Sequence, residues 1–384
     1  MFMLNILIIN GNSENINYNS LDKGCGGSET WAIQLGNALV ERNNLVILCS
    51  KTNEKLQNNE LHRDKLNIVP IEDVNSVLNS IPIDFVIVSR VISNDIYKLL
   101  KLNYDKIKYI FYQFHDLYPL EDNYKDNVEM VNKVVALTPY HAKYIHIMAD
   151  NDYSKFAIIP NGVDLKLFND LKETEKRDNR MLWCSNPDRG LYIILKYLYD
   201  DIKKEIPDFG IDIAYPNYSN FIDTELIAGK DVRNIGSLGK KELYNEMIKH
   251  KCWCYPQNFI DTFCISMLEN AMCNVNIVAP WWYAPNDIFG EFIDSDDKYK
   301  KIIDYKDEYS QKFYSTGINS PEFNNYLIWL KDKIIDAIKN YNSEKYQIRR
   351  FLLQQKVIQN YTWDRVAQMY ENLYMNEKVQ KGNI

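Results

Sequence analysis

The sequence contains no stretch of about 18 uninterrupted apolar residues, so we predict no transmembrane helix. Its first segment, residues 1–10, is apolar but lacks a basic leader and a small-residue cleavage site. That segment therefore predicts a first β-strand and not a secretory signal peptide. A net charge of −7 argues against nucleic acid or an anionic membrane as the main partner, although it leaves room for local basic patches.

Cysteine is scarce and scattered. The seven cysteines, an odd number, fit a reducing compartment. The string Cys252-Trp253-Cys254 lacks the two-residue gap of zinc knuckles, so it does not indicate a metal site. We therefore expect a cytoplasmic protein without a bound metal or cofactor, and association with a membrane surface remains open.

The chain length of 384 residues exceeds what one hydrophobic core usually serves, so two domains are expected. An apolar content of 46% and a charged content of 25% are typical of globular proteins. The polar segment 169–180 reads as an inter-domain linker. We predict one domain over residues 1–168 and a second over residues 169–360.

Short apolar runs alternate with helical patterns in both domains. Residues 28–42 and 344–375 have the pattern of helices, and the strands are predicted at 3–9, 45–49, 66–71, 85–89, 108–112, 133–137, 156–160, 181–184, 211–214, 232–235, 252–255 and 276–279. This alternation predicts α/β domains with parallel, doubly wound, Rossmann-like sheets. Ligands of such sheets bind at the carboxyl ends of the strands.

Two carboxylates, Asp261 and Glu269, lie eight residues apart around the predicted start of a helix that follows the strand 252–255. Free N–H groups and the dipole of a helix N-terminus attract an anion such as phosphate. A carboxylate two turns into the helix can accept hydrogen bonds from sugar hydroxyls of the same ligand. The pattern therefore suits a nucleotide sugar.

The same stretch resembles the paired-acid motif of the retaining glycosyltransferases of family 4, which have the GT-B fold. The family pattern is Glu, seven residues, Glu, with Phe-Gly after the first acid and Ala-Met after the second. Here Asp261 and Glu269 occupy the acid positions, Phe263-Cys264 the Phe-Gly position, and Ala271-Met272 follow. Aspartate shortens the reach by one methylene, and Cys264 adds a side chain where the family has glycine.

The string Gly24-Cys-Gly-Gly-Ser-Glu29 opens the first long predicted helix. Gly26 and Gly27 would let the backbone approach a phosphate or acceptor, and Ser28 could cap the helix. Such a turn is by itself more often structural. It looks like the first glycine loop of the family, which implies a role in binding the donor.

Two further segments match the family. His115 ends a predicted strand, where a lone histidine is usually a half-buried structural residue, but similar enzymes carry a histidine there, near the donor sugar. Residues 158–164, Ile-Ile-Pro-Asn-Gly-Val-Asp, read as a strand and a turn that Pro and Gly explain without a ligand. In the family this string helps to shape the donor site, which implies a role for Asn161.

Arg189, in Asn-Pro-Asp-Arg189-Gly190, follows the first strand of the second domain and precedes a helix. A guanidinium group there can bind a diphosphate through two hydrogen bonds and neutralise the leaving group. The position matches the basic residue before Gly in the family. The usual earlier arginine of this loop is absent, so Lys240 or Lys241 is expected to help. Trp281-Trp282-Tyr283 could stack on a ligand or anchor a loop.

The resemblance implies two domains facing a cleft, with a C-terminal helix at 361–384 that crosses back to the first domain. It implies transfer of a sugar, without a bound metal, from a UDP- or GDP-sugar to a glycan or glycoconjugate acceptor with retention of anomeric configuration. The implied catalytic residues are Asp261, Arg189 and His115, and the donor-binding residues are Gly26, Gly27, Asn161, Arg189, Thr262, Phe263, Cys264, Ile265 and Glu269. The alternative is a nucleotide-sugar-binding or scaffold subunit that has lost transfer.

Overall fold

The computed structural model describes residues 3–11, 14–56, 60–90, 94–107, 109–117, 128–149, 152–171, 177–215, 224–257, 260–292, 321–380 and 382. The chain divides into two compact units. Unit 1 comprises Met1–Leu21, Cys25–Asp164 and Tyr361–Ile384, and unit 2 comprises Asp22–Gly24 and Leu165–Asn360. Each unit is built around one parallel β-sheet.

Unit 1 contains a seven-stranded sheet in the order β3-β2-β1-β4-β5-β6-β7. The strands are β1 Asn5–Asn10, β2 Leu45–Ser50, β3 Asn67–Pro70, β4 Phe85–Ser89, β5 Ile110–Gln113, β6 Lys133–Ala136 and β7 Phe156–Ile158. Alternate residues of β1 face opposite sides: Ile6 and Ile8 enter one apolar cluster, and Leu7 and Ile9 enter another. Both faces are therefore covered, as expected of a parallel sheet.

Unit 2 contains a five-stranded sheet in the order β10-β9-β8-β11-β12. The strands are β8 Asp178–Trp183, β9 Gly210–Ile213, β10 Val232–Asn234, β11 His250–Cys254 and β12 Asn276–Val278. In both units the strand order reverses beside the first strand, between β1 and β4 and between β8 and β11. Such a switch point opens a crevice at the carboxyl ends of the strands, where α/β proteins bind their ligands.

The helices follow the strands as the predicted alternation requires. They are α1 Ser20–Lys23, α2 Gly27–Glu41, α3 Val74–Ser80, α4 Asn94–Leu102, α5 Pro139–Ala149, α6 Lys166–Asn169, α7 Leu191–Ile193, α8 Tyr199–Glu205, α9 Thr224–Ile227, α10 Lys240–Met247, α11 Ile265–Met272, α12 Tyr283–Phe289, α13 Pro321–Lys339, α14 Glu344–Asn360 and α15 Trp363–Gln380. A π-helical segment, Ile194–Leu198, joins α7 to α8. Short 3₁₀ turns occupy Ile71–Asp73, Tyr153–Lys155, Pro187–Arg189 and Gly290–Phe292.

The C-terminal helix α15 belongs to unit 1, as the resemblance implied. Its Trp363, Tyr370 and Tyr374 join the apolar cluster that contains Trp31 of α2. On the same helix, Glu371 accepts a hydrogen bond from Arg42 Nε at 2.9 Å. Apolar burial and this ion pair together hold the helix against the first sheet.

The segment 344–375 is helical over nearly its whole length, as its pattern predicts. The structure has two helices, α14 and α15, separated by Tyr361 and Thr362. These two residues are extended because Val163 bonds to this segment through its backbone: its N–H donates to the carbonyl of Tyr361 at 2.9 Å, and its carbonyl accepts from the N–H of Trp363 at 3.2 Å. The tertiary contact therefore overrides the helical pattern.

The predicted linker, residues 169–180, extends too far, because its last three residues form the start of β8. Arg180 explains the error, since it is buried despite its charge. Its guanidinium group donates to Asp212 at 2.6 Å and to Asp231 at 2.6 Å, and Asp212 also contacts His250 Nε2 at 3.0 Å. Because Arg180 is buried in an ion-pair network, the start of β8 has a polar sequence that resembles a linker.

Replacing Asp212 with alanine should lower the free energy of unfolding by about 3 kcal/mol or more, because it removes the buried partner of Arg180. Asp231, the remaining partner, has 43% of its side chain exposed. The measurement is urea unfolding followed by far-UV circular dichroism. Asp201→Ala, in an exposed pair with Lys204, is the control and should move the midpoint little. Equal midpoints for the two variants would contradict the role of the network.

The stabilisation by Asp212 should also depend on pH. Burial alone would raise the pKa of Asp212, but hydrogen bonds and charge from His250 and Arg180 outweigh it and lower the pKa from 3.8 to about 2. Because the folded pKa lies below the ordinary value, the contribution is complete above pH 4 and is lost as pH falls through about 2. The stability difference between wild type and Asp212→Asn should therefore narrow between pH 4 and pH 2.

Candidate functional site

Arg189 lies in the loop that follows β8, on one side of the switch point in unit 2. The side chain of Asn186 accepts a hydrogen bond from the N–H of Asp188 at 3.3 Å and so fixes the turn Pro187–Arg189. Gly190 has a φ of 110°, in the left-handed region that favours glycine. A Cβ atom there would lie 3.2 Å from Pro256, which follows β11, so the two loops meet closely.

Asp261 lies in the loop that follows β11, on the other side of that switch point. It is buried, with 4% of its surface exposed. Its Oδ2 accepts a hydrogen bond from the hydroxyl of Tyr255 at 2.8 Å, and its Oδ1 accepts from the N–H of Phe263 at 3.2 Å. Both carboxylate oxygens therefore have partners within the chain.

Tyr255 connects Asp261 with Arg189. It is the first residue after β11 and is buried, and its ring stacks on Trp253 at 5.3 Å. Besides donating to Asp261, Tyr255 forms a side-chain hydrogen bond with Arg189. Arg189 is exposed as a residue, although its guanidinium group interacts with Tyr255 and Asp261. The structure thus brings together Arg189 and Asp261, two of the predicted catalytic residues.

The ionisation of this group follows from its surroundings. Burial raises the pKa of Asp261, and the charge of Arg189 and the hydrogen bonds from Tyr255 and Phe263 offset part of that effect. For Arg189 burial acts to lower the pKa, but interactions with Tyr255 and Asp261 outweigh it and the pKa is raised. Arg189 therefore stays cationic at neutral pH.

Glu269 lies within α11 and is 2% exposed. Its Oε1 accepts hydrogen bonds from Lys240 Nζ at 2.6 Å and from the hydroxyl of Tyr244 at 2.9 Å, both from α10. Tyr244 is held in turn by stacking on Phe168 at 4.3 Å. Of the two candidate lysines, Lys240 is the one that reaches the acid, whereas its neighbour Lys241 is exposed.

The segment between the two acids begins α11. Cys264 is the N-cap residue of this helix, and Thr262, Phe263 and Cys264 are buried. Burial, with Asp261 nearby, raises the pKa of the Cys264 thiol well above its ordinary value, so the thiol is neutral. The departure from the family glycine thus adds a small uncharged side chain. Ile265 is the first residue of the helix and is half-buried.

Gly26 and Gly27 begin α2 in unit 1. The N-cap residue is Gly26 and makes no side-chain cap, so the prediction that Ser28 caps the helix is wrong. A Cβ atom on Gly26 would lie 2.4 Å from Glu29 Oε2, whereas one on Gly27 would meet nothing within 4 Å. Gly26 therefore lies directly against the Glu29 carboxylate.

His115 follows β5 in unit 1, and its ring contacts Trp31 edge-on at 4.9 Å. Burial lowers its pKa to about 3, with smaller contributions from Arg90 and His141, so the imidazole is neutral at neutral pH. Asn161 is also buried, in the loop after β7. The roles proposed for Gly26, Gly27, His115 and Asn161 stay predictions.

The sequence analysis missed Arg90, which follows β4 at the switch point of unit 1. Its φ is 61°, an uncommon conformation for a residue other than glycine. Its Nη1 donates to the hydroxyl of Ser28 at 2.9 Å, and that hydroxyl donates to Glu29 at 3.0 Å. Its position directly after a predicted strand is the signal that could have identified it, and for Tyr255 the signal is its position at the end of one.

The aromatic string Trp281-Trp282-Tyr283 is buried. The carbonyl of Trp282 accepts a hydrogen bond from Gln257 Nε2 at 3.0 Å, and Arg349 lies over the Trp281 ring at 5.4 Å. These contacts fit a loop anchor better than a surface on which a ligand stacks.

Within the described residues, no group of three or more His, Cys, Asp or Glu side chains is arranged to hold a metal ion. No helix in the described part of the chain is long and apolar enough to cross a membrane.

No family model and no curated protein matches the chain. Solved structures do match it over nearly its whole length. A glycosyltransferase from Rickettsia africae is 14% identical, with a TM-score of 0.68 and 98% of each chain covered. HepE from Anabaena, in complex with UDP and glucose, is 14% identical, with a TM-score of 0.63 and coverage of 97% of this chain and 100% of HepE.

A sucrose-phosphate synthase from Thermosynechococcus elongatus is 12% identical, with a TM-score of 0.62 and coverage of 97% of this chain and 98% of the synthase. Identities this low establish a common fold and not a common activity. With its two parallel α/β units, the chain has the GT-B fold of these glycosyltransferases.

Proposed function

We propose that the protein is a glycosyltransferase that moves a sugar from a nucleotide-sugar donor to a hydroxyl of a glycan or glycoconjugate acceptor. The observation that carries this proposal is a pair of cations at the carboxyl edge of the unit 2 sheet, Arg189 and Lys240. Each lies beside a buried acid, and each lies at or just before a helix N-terminus. Helix dipoles disfavour cations at a helix N-terminus. A bound anion such as a diphosphate would offset this unfavourable interaction.

In this proposal Arg189 holds the diphosphate and stabilises the negative charge that builds on it as the sugar leaves. The N–H groups of Cys264 and Ile265, at the start of α11, supply further donors to the phosphates. Glu269 accepts hydrogen bonds from the ribose hydroxyls, and Lys240 fixes the orientation of that carboxylate.

We also propose retention of the anomeric configuration, without a bound metal, as the resemblance to family 4 implies. The acceptor would attack from the face that the leaving group departs from, and the departing phosphate oxygen would take the acceptor proton. The positive charges of Arg189 and Lys240 would neutralise the charge of that phosphate. UDP-glucose is a reasonable first donor because HepE, which has the same fold, was solved with it. We also propose a cytoplasmic location, because the few scattered cysteines fit a reducing compartment.

The test is a thermal-shift screen against UDP-, GDP-, ADP- and dTDP-sugars, with and without EDTA. A ligand at about 100 times its dissociation constant adds about 2.7 kcal/mol, which corresponds to a rise in melting temperature of roughly 5 to 10 °C. One nucleotide should stand out, and EDTA should not reduce its effect. No shift with any of the four nucleotides would contradict the proposal, and the anomeric proton coupling of the product tests retention.

The burial of Asp261 favours a second candidate, a nucleotide-sugar-binding or scaffold subunit without transfer activity. Both oxygens of this carboxylate are bonded within the chain. Donor hydrolysis separates the two candidates, because a transferase usually releases some sugar to water. Donor binding without any release of free sugar, with or without candidate acceptors, would favour the binding subunit.

A further inference from the structure

Three residues from two loops form one chain of interactions in unit 2: Arg189, Tyr255 and Asp261. The Tyr255 hydroxyl has one proton to donate, and it donates that proton to Asp261 Oδ2 at 2.8 Å. Its lone pairs remain for the guanidinium group of Arg189, with which Tyr255 also forms a hydrogen bond. The interactions therefore run from Arg189 through Tyr255 to Asp261.

The exposed fraction differs sharply among these three residues. Asp261 is 4% exposed and Tyr255 is 1% exposed, whereas Arg189 is exposed. The two oxygens of Asp261 already accept from Tyr255 and from the N–H of Phe263. Of the three residues, Arg189 is the one that is exposed, and its guanidinium group interacts with the other two.

An exposed arginine loses considerable rotamer freedom when it binds a ligand, and a site that holds it in advance avoids that cost. Tyr255 is well suited to hold it. Its ring is fixed by the stack on Trp253, and Gly190, next to Arg189, lies against Pro256, next to Tyr255. The distance between the two loops is thus set by the packing of Gly190 against the Pro256 ring, and the tyrosine hydroxyl sets the direction of the guanidinium group.

We propose that Tyr255 and Asp261 act as positioning residues that hold Arg189 ready for the diphosphate of the donor, and that Asp261 does not contact the donor sugar. This inference rests on the proposed function, because it presumes that Arg189 binds the diphosphate. It differs from the role that the resemblance implies for Asp261, which is direct contact with the sugar. The difference can be measured, because UDP carries the diphosphate and has no sugar at its end.

The experiment measures the dissociation constants of UDP and UDP-glucose by calorimetry for wild type, Tyr255→Phe and Asp261→Asn, each also combined with Arg189→Ala. Positioning predicts that each single variant weakens UDP and UDP-glucose equally, roughly 5- to 30-fold. It also predicts that neither variant weakens binding further once Arg189 is alanine. An Asp261→Asn variant that binds UDP normally but UDP-glucose weakly would overturn the proposal, because the aspartate would then contact the sugar.

Tyr199→Phe is the matched control. Tyr199 is a buried tyrosine of unit 2 whose hydroxyl accepts from the N–H of Asp231 at 2.7 Å. The Tyr199→Phe variant should lose about as much stability as Tyr255→Phe and should leave UDP binding unchanged. Equal losses of UDP affinity in Tyr199→Phe and Tyr255→Phe would overturn the proposal, since the effect would then be general destabilisation.

A second measurement needs no ligand and separates this inference from the proposed function. Urea unfolding of wild type, Tyr255→Phe, Arg189→Ala and the double variant gives the coupling between the two side chains. Non-additive losses support the link between Tyr255 and Arg189, and additive losses overturn it. Failure of wild type to bind UDP, GDP, ADP or dTDP would count against the proposed function, and the unfolding cycle would still decide whether Tyr255 holds Arg189.

Discussion

Replacing Arg189 with alanine should lower the rate of donor turnover by about a hundredfold or more, because a cation that stabilises a leaving group contributes about 3 kcal/mol. The loss should be larger in kcat than in KM for the donor, since charge on the diphosphate grows as the sugar departs. The measurement is the rate at which free sugar is released from the nucleotide sugar that gives the largest thermal shift. Turnover at the wild-type rate would remove the role given to Arg189.

Two further variants make this test specific. Arg189→Lys keeps the charge but lacks the planar fork that binds a phosphate through two hydrogen bonds, so it should recover only part of the activity. Arg365→Ala, on the exposed face of α15 in unit 1, removes one positive charge elsewhere and should leave turnover unchanged. A loss of equal size in Arg365→Ala would indicate an effect of net charge alone.

The fold was largely predictable because parallel strands buried on both faces are nearly continuous apolar runs. The predicted strand 85–89 coincides with β4, and most other predicted strands lie within two residues of the observed ones. The differences from the predicted elements occurred where a tertiary contact decides local structure. Arg180 lies in a strand because two aspartates neutralise it, and Tyr361 lies between two helices because Val163 bonds to it. The two aspartates are distant in sequence from Arg180, and Val163 is distant from Tyr361.

Parts of the candidate site were predictable, because Arg189 and Asp261 each follow a strand and match a family position. Their connection was not predictable, since it depends on β8 and β11 being neighbours and on the direction of the Tyr255 side chain. The choice between Lys240 and Lys241 was equally undetermined. Consecutive residues of a helix point about 100° apart, so only the orientation of α10 decides which lysine meets Glu269.

Replacing Glu269 with glutamine should raise KM for the donor about 10- to 150-fold and change kcat little. Hydrogen bonds to a charged acceptor are worth about 1.5–3 kcal/mol, and the bonds to ribose exist in the ground state and the transition state alike. The substitution keeps the shape of the side chain and removes the negative charge that Lys240 contacts at 2.6 Å. Donor hydrolysis over a range of donor concentrations gives both constants.

The adjacent lysines provide a matched pair for the same site. Lys240→Met should weaken donor binding, because it removes a cation from the site and frees the carboxylate of Glu269 from its fixed orientation. Lys241→Met removes the same charge from the next residue of α10, which is exposed, and should leave donor binding unchanged. A donor KM unchanged in Glu269→Gln, in protein whose far-UV spectrum matches wild type, would show that this acid stabilises α10 and α11 and does not bind ribose.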